Sequence, residues 1–345
     1  MKKDWLALKD NSIITPGRIR SAIYTILFAL IIYLSITIYI GADKMWLAIR
    51  SFPVITHLIP LILIVFIGWF LRAIRWNIFL HTAQENKVPA LKSYWIFFAS
   101  FSLTITPGKA GEIVKAAFLK DKYSIPVTKT AGILMIERIM DLLSIIVLAA
   151  FSFPFFLSMS INSNDSYNII LSFIISSIIV AGFVLFIFFE GIYTPVLNYI
   201  GKIPFLSKLC LKILELLKTG KDLLNLKTIL KGMVLSITSW GLEAVAFYWI
   251  MNGMKINGSL ELANFAYSIG QIIGAVTLTP GGVGTVETGM FVPLKIAGIK
   301  PADAAPAILL LRIVTLWLAS FTGFCFIIPL MKGFSAKNEQ ENTAN

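Results

Sequence analysis

Two short segments of this sequence combine proline, glycine and nearby charge in a way that suits the binding of an anion. The first is Thr106-Pro107-Gly108-Lys109-Ala110-Gly111 and the second is Thr279-Pro280-Gly281-Gly282-Val283-Gly284. Glycine lets the backbone turn sharply, and a helix that starts after such a turn presents N–H groups without partners. Those groups and the helix dipole favour a negative charge such as phosphate. The alternative is that the glycines serve close helix packing.

An arginine within apolar sequence follows each segment at a similar distance. The prolines Pro107 and Pro280 are 173 residues apart, and Arg138 and Arg312 are 174 residues apart. This spacing indicates that half of the chain is duplicated. Many transporters build their substrate sites from duplicated hydrophobic segments that are broken by glycine and proline.

Further charged side chains lie in apolar runs, where a charge costs roughly 2.5–3.5 kcal/mol to insert into a membrane. Glu137, Arg138 and Asp141 are spaced so that Asp141 shares a helix face with both neighbours. They form either an internal ion-pair cluster or part of a ligand site. Glu243 is alone in its apolar run, and we expect it to pair with an arginine or to carry a proton. Arg312 has no acidic residue in its run and therefore requires a distant partner or an anionic ligand.

A third motif, Arg72-Ala73-Ile74-Arg75-Trp76, is predicted at the cytoplasmic end of an apolar run. It indicates either anchoring at the membrane surface or capture of a lipid headgroup. The candidate residues for lipid or anion binding are thus Arg72, Arg75, Pro107, Gly108, Lys109, Gly111, Glu112, Lys115, Arg138, Pro280, Gly281, Gly282, Gly284, Glu287 and Arg312. The candidates for ion pairing or proton coupling are Glu137, Asp141 and Glu243.

The composition places these motifs in a membrane. Of the 345 residues, 57% are hydrophobic and 14% are charged, whereas a soluble domain averages about 25% charged residues. The net charge of +12 is spread between the apolar runs, which argues against a nucleic-acid partner. Two distant cysteines and two isolated histidines favour neither a disulfide framework nor a metal site, and we expect no cofactor.

The apolar runs predict an all-α polytopic protein. Spanning helices are predicted at 21–40, 54–80, 127–157, 168–189, 229–251 and 304–331. The apolar segments 91–120 and 260–298 are each split by a Pro-Gly segment, and the arms of the first are too short to cross a membrane. We therefore predict two re-entrant helical hairpins, whose tips must be buried in protein or line a watery cavity.

The distribution of lysine and arginine predicts the orientation in the cell membrane. With both termini in the cytoplasm, 23 of the 30 basic residues fall on the cytoplasmic side and five on the other. Three crossings in each half then invert the second repeat (168–331) relative to the first (21–157). Hairpin arms that crossed fully would instead give parallel repeats. The remaining predictions are a cytoplasmic segment at 1–20, an amphipathic cytoplasmic linker at 191–227 and a disordered tail at 332–345.

Five motifs resemble those of the lysylphosphatidylglycerol synthase transmembrane-region family, also called the flippase-like family. The matching motifs are Arg72-x-x-Arg75-Trp76, Pro107-Gly108-Lys109-x-Gly111-Glu112-x-x-Lys115, Glu137-Arg138-x-x-Asp141, Pro280-Gly281-Gly282-x-Gly284-x-x-Glu287 and Arg312. The resemblance covers residues 15–332. Lys109 and Lys115 stand where arginine is common in the family, which keeps the charge but loses two-point contact with phosphate.

The resemblance implies a protein that binds or moves an anionic phospholipid or a polyprenyl-phosphate-linked lipid between the two hairpin tips. In the bifunctional synthases a separate soluble domain transfers the aminoacyl group. Only about ten polar residues follow the last predicted span here, so we expect no such transfer. One alternative is a membrane enzyme or accessory subunit that modifies headgroups or assembles glycolipids, with Glu112, Glu137 and Asp141 as acid–base groups. A scaffold for lipid-synthesis enzymes is a second alternative, and a further copy of the chain or such an enzyme is the candidate protein partner.

Overall fold

The structure, a computed structural model, describes residues 52–84, 88–105, 111–160, 190–203, 225–277 and 279–343, with scattered positions between 24 and 50, 170 and 182, and 206 and 214. Within these residues the regular elements are helices, which agrees with the predicted all-α membrane protein. In chain order they are α1 (Ile59–Gln84), α2 (Ala90–Ala99), α3 (Gly111–Tyr123), α4 (Val127–Ser160), α5 (Glu190–Ile200), α6 (Leu226–Gly253), α7 (Leu260–Thr277), α8 (Thr285–Ile296), α9 (Pro301–Arg312) and α10 (Leu318–Thr343).

Four stretches in the described part of the chain are long and apolar enough to cross a membrane. They are Ile55–Ala83, Val127–Ser158, Lys227–Gly253 and Pro301–Leu330. Their ends lie within three residues of the spans predicted at 54–80, 127–157, 229–251 and 304–331. The spans predicted at 21–40 and 168–189 lie mostly outside the described residues, and residues 106–110 of the first Pro-Gly segment lie outside them entirely.

Local sequence accounts for where several of these helices begin. The side chain of Asn225 accepts a hydrogen bond of 2.9 Å from the backbone N–H of Thr228 and so caps α6. Pro301 occupies the first turn of α9, where its missing N–H has no intrahelical partner in any case. A π-helical turn at Ile313–Trp317 joins α9 to α10, so that the two form one long helix with a wide turn directly after Arg312.

Two pairs of shorter helices alternate with the long ones. A 3-10 turn at Ser100–Leu103 continues α2, and α3 follows the undescribed residues 106–110. The second pair is α7 and α8, which contain 18 and 12 residues. At 1.5 Å per residue α8 rises about 18 Å, well short of a hydrocarbon core of about 30 Å. The described chain thus shows the order long helix, short pair, long helix in each half.

Packing brings the two halves together. The helix α6 lies against α1, α4 and α7, while α9 contacts α8 and α6. The helix α10 contacts α2 and the 3-10 turn that follows it. Within the second pair, a Cβ atom on Gly289 would lie only 2.8 Å from the Cα of Gly270, so these two glycines let α7 and α8 approach closely.

Gly323 of α10 packs closely against the backbone of the first half. A Cβ atom there would collide with backbone atoms of Phe101 and would lie 2.6 Å from the Cα of Ser102. We expect Gly323→Ala to lower the free energy of unfolding by about 1–3 kcal/mol, because backbone must shift to admit the methyl group. The matched control is Gly241→Ala on α6, where the nearest heavy atom would be 3.8 Å away. Thermal unfolding in detergent should separate the two variants, and equal midpoints would contradict this contact.

The segments predicted as a tail and a linker contain helical backbone where the structure describes them. In the segment 332–345, the backbone of α10 is helical to Thr343. In the predicted linker 191–227, residues up to Ile200 belong to α5, and Cys210 is helical and buried.

Candidate functional site

Arg75 lies at the centre of a buried network of charges. Its side chain is 1% exposed, and its Nη1 atom is 2.6 Å from Oδ1 of Asp141. The Nη2 atom is 3.5 Å from Oε1 of Glu137. Arg75 also donates a hydrogen bond to the hydroxyl of Ser236 on α6. One arginine on α1 therefore holds α4 and α6 together.

Lys115 on α3 joins this network from the other side of Glu137. Its Nζ atom is 2.9 Å from Oε2 of Glu137. The same ammonium lies 4.2 Å from the centre of the Trp76 ring and 4.6 Å from that of Phe97. Two aromatic faces and a carboxylate thus replace water around a buried cation.

Arg72, one turn before Arg75, connects α1 to α6. Its Nε atom donates a 2.7 Å hydrogen bond to Ser239, its guanidinium pairs with Glu243, and it stacks 4.3 Å above the Trp240 ring. Glu243 also accepts a hydrogen bond from the hydroxyl of Tyr267 on α7. The expected arginine partner of Glu243 is therefore Arg72.

Arg72 and Arg75 lie within the predicted span 54–80 and within the observed stretch Ile55–Ala83. The acidic residues of α4 and α6 compensate their charges. Because the side chain of Arg75 is 1% exposed, its guanidinium contacts other protein groups and is not displayed at the protein surface.

Arg138 is the most accessible member of the network. Its Nη1 atom is 3.3 Å from Oδ2 of Asp141, and 36% of its side chain is exposed. Trp240 donates a 2.9 Å hydrogen bond to the other oxygen of Asp141. We call the set that these contacts connect the central charge cluster, and its members are Arg72, Arg75, Lys115, Glu137, Arg138, Asp141 and Glu243.

A separate ion pair lies at the second Pro-Gly segment. The Nε atom of Arg312 is 2.7 Å from Oε1 of Glu287, and both side chains are about 95% buried. Oε2 of Glu287 accepts a 2.7 Å hydrogen bond from the backbone N–H of Gly284, directly before α8. Arg312 also donates to the carbonyl of Gly281. Arg312 is thus paired with the carboxylate of Glu287 on α8, in the same half of the chain.

The glycines of this segment are needed for its backbone. Gly281 and Gly284 have φ angles of 59° and 84°, a region that disfavours residues with a Cβ atom. Thr285 stabilises the turn through hydrogen bonds, because its hydroxyl lies 2.8 Å from that of Thr279 and 3.0 Å from that of Thr277. The turn is therefore fixed by side chains on both arms.

The residue that precedes the first Pro-Gly segment lies next to the second segment. Ile105, which immediately precedes the first segment, packs with Val283 of the second and with Leu316 of the π-helical turn. The Cα of Ile105 would lie 3.5 Å from a Cβ atom on Gly281. Tyr267 of α7 reaches the central charge cluster, since its hydroxyl donates a hydrogen bond to Glu243.

Part of the predicted site cannot be placed. Pro107, Gly108 and Lys109 lie outside the described residues, and of Gly111 and Glu112 only the helical backbone at the start of α3 is described. The other candidates fall into two groups, the central charge cluster and the second Pro-Gly segment with Glu287 and Arg312.

Sequence reasoning missed several polar partners on α6 and α7. Ser236, Ser239, Trp240 and Tyr267 supply hydrogen bonds to the charged residues. A signal for three of them was present, because Ser236, Ser239 and Trp240 precede Glu243 at spacings of seven, four and three residues and so share its helix face. For Tyr267 the sequence offers no comparable spacing.

Comparison with known proteins agrees with this architecture. The family described as "Lysylphosphatidylglycerol synthase TM region" matches residues 25–323. The UPF0104 membrane protein MJ1078 of Methanocaldococcus jannaschii is 26% identical over 215 residues, which are 62% of this chain and 88% of the relative. The UPF0104 membrane protein PH1989 of Pyrococcus horikoshii is 24% identical over 292 residues, 79% and 86% of the two chains.

A second protein of Methanocaldococcus jannaschii, the UPF0104 membrane protein MJ1595, matches over still more of the sequence. It is 21% identical over 336 residues, which are 93% of this chain and 98% of the relative. The family match itself spans the four described membrane stretches up to residue 323, both Pro-Gly segments and every charged residue of the site. This integral, multi-pass membrane protein therefore belongs to the lysylphosphatidylglycerol synthase transmembrane-region family.

Proposed function

We propose that this protein binds the headgroup of an anionic lipid between its two Pro-Gly segments and moves the lipid across the cell membrane. The observation that carries the proposal is the position of Arg312. This buried arginine sits in the middle of a long apolar helix and contacts the backbone of the second Pro-Gly segment. Val283 of that segment packs against Ile105, the residue that leads into the first segment. A cation at that depth is expensive and usually marks a substrate or ion pathway.

The charged groups of the site supply donors for an anionic ligand. Among the described residues, the central charge cluster and the second Pro-Gly segment bring together five basic and four acidic side chains. The basic members are Arg72, Arg75, Lys115, Arg138 and Arg312, and the acidic members are Glu137, Asp141, Glu243 and Glu287. Guanidinium and ammonium groups form strong charge-assisted hydrogen bonds with phosphate.

The order of the helices supports movement as well as binding. A long helix, a short interrupted pair and a long helix occur in each half of the described chain. We infer that the halves are inverted repeats, that both short pairs are re-entrant hairpins, and that both chain termini are cytoplasmic. A site between the tips of two inverted hairpins is then exposed to one side or the other when the halves rock.

The ligand class follows from the same chemistry. A phosphate group suits Arg312 and the N–H groups of α8, while the acyl or prenyl tails stay in the surrounding lipid. Phosphatidylglycerol and polyprenyl phosphates both fit this description. The name of the family makes phosphatidylglycerol the first lipid to test.

The proposal predicts selective lipid movement in proteoliposomes. Fluorescent phosphatidylglycerol in the inner leaflet should become accessible to an external quencher in vesicles that contain the protein, at a rate at least about tenfold above protein-free vesicles. Labelled phosphatidylcholine should move no faster than in protein-free vesicles, because its headgroup carries no net charge.

Chemical analysis of the recovered lipid completes this test. Unchanged phosphatidylglycerol after movement supports the transporter. A modified headgroup would instead identify an enzyme, and neither movement nor modification would leave a scaffold as the surviving hypothesis. Equal rates for the two lipids would contradict the proposed site.

A further inference from the structure

We propose that an anionic headgroup binds to Arg312 together with one proton, which Glu287 takes up from water. This inference deepens the proposed function, on which it rests, because it specifies what accompanies the lipid. It identifies Glu287 as the residue that decides when the site accepts an anion.

Glu287 occupies the contacts that a bound anion needs. One of its carboxylate oxygens is 2.7 Å from Nε of Arg312, and the other accepts a 2.7 Å hydrogen bond from the N–H of Gly284. An arginine and a backbone N–H before a helix are the donors expected to hold a phosphate. The carboxylate therefore competes with a headgroup for the same donors.

Charge balance connects this competition to a proton. The pair of Arg312 and Glu287 is neutral, and both side chains are about 95% buried. A phosphodiester that joined them would leave one net negative charge in a buried place, which is strongly unfavourable. A proton on Glu287 restores neutrality, removes the attraction between Glu287 and Arg312, and frees the guanidinium for the phosphate.

In the described part of α8 and α9, no carboxylate other than Glu287 contacts Arg312 and could take up this proton. The acidic residue of α9, Asp303, is exposed in its first turn, nine residues before Arg312. From α7, the hydroxyl of Tyr267 is bound to Glu243 of α6, which pairs with Arg72 of α1. From α4, Asp141 is held by Arg75 and Arg138. Among the described contacts, Glu287 is thus the carboxylate whose neutralisation removes the ion pair with Arg312.

The test measures binding of fluorescent phosphatidylglycerol to the full-length protein in nanodiscs between pH 5 and pH 8, with phosphatidylcholine as the reference lipid. The phosphodiester keeps its charge across this range. Any pH dependence of lipid binding must therefore come from a titrating group of the protein. Binding to the wild type should strengthen as the pH falls, by up to about tenfold per pH unit for one coupled proton. Glu287→Gln should bind at every pH at least as tightly as the wild type binds at pH 5.

The matched control is Asp303→Asn, which removes one exposed carboxylate from the helix that carries Arg312 and should keep the wild-type pH dependence. Selective binding by the wild type that does not change with pH would overturn the inference and leave the proposed function standing. A Glu287→Gln variant whose binding of phosphatidylglycerol changes with pH as steeply as that of the wild type would also overturn the inference and leave the proposed function standing. No preference for phosphatidylglycerol in any variant at any pH would overturn the proposed function and this inference with it.

Discussion

Replacing Arg75 by leucine is expected to lower the free energy of unfolding by about 3–5 kcal/mol, the usual cost of removing one partner from a buried ion pair. The variant leaves Asp141 and Glu137, which are 4% and 0% exposed, without the guanidinium that lies between them. Ser236 loses its donor at the same time. The loss follows from two carboxylates that remain buried and are less well compensated, and not from the packing of the arginine stem alone.

Reversible unfolding in mixed micelles, followed by tryptophan fluorescence, measures this loss. A double-mutant cycle separates charge from packing: Arg75→Gln with Asp141→Asn removes both charges and should cost less than the sum of the two single changes, because neither partner is left charged. Lys129→Leu, at an exposed position in the first turn of α4, is the control for the loss of a surface cation. Additive costs in the cycle, or a loss for Arg75→Leu no larger than that of Lys129→Leu, would refute the central role of Arg75.

Replacing Arg312 by glutamine is expected to reduce the movement of phosphatidylglycerol by at least about 30-fold, which corresponds to about 2 kcal/mol for a buried charge-assisted contact. The single change also leaves Glu287 buried without its guanidinium, so that a loss of activity could reflect a loss of structure. The double variant Arg312→Gln with Glu287→Gln avoids this problem because it removes both charges. It should fold with a melting midpoint near that of the wild type and still fail to move the lipid.

Lys295→Ala is the control for this second experiment, because it removes one positive charge from the exposed end of α8 and leaves the ion pair intact. Its rate should stay within about twofold of the wild type, since surface charges contribute little. Wild-type rates in the folded double variant would show that Arg312 does not bind the headgroup.

The long helices could be predicted closely because their signal is local. The run from Val127 to Ser158 is apolar over most of its length, and its predicted and observed ends agree within one residue. The burial of Arg75 inside the protein could not be predicted in the same way. A motif of two arginines and a tryptophan resembles a membrane-surface anchor, and only the acidic residues of α4, more than 60 positions later, reveal that the arginine is compensated inside the bundle.

The same limit applies to the candidate site. Sequence spacing identified Arg312 and Glu287 separately, because each stands out against apolar or glycine-rich surroundings. Their contact joins residues 25 positions apart on two helices, and no periodicity within one helix encodes it. The partnership of Arg72 with Glu243 spans still more of the chain. Single-helix patterns therefore predict which residues are unusual, whereas their pairing depends on how the helices pack.

The π-helical turn at Ile313–Trp317 divides the long helix of the second half into two parts with different attachments. Before the turn, α9 packs against α8, and after it Gly323 packs α10 closely against the 3-10 turn of the first half. Arg312 lies at the boundary between these two attachments. Sharp kinks in helices are typically found at π-helical turns, so that Arg312 lies next to the point of this helix where a bend is most readily accommodated.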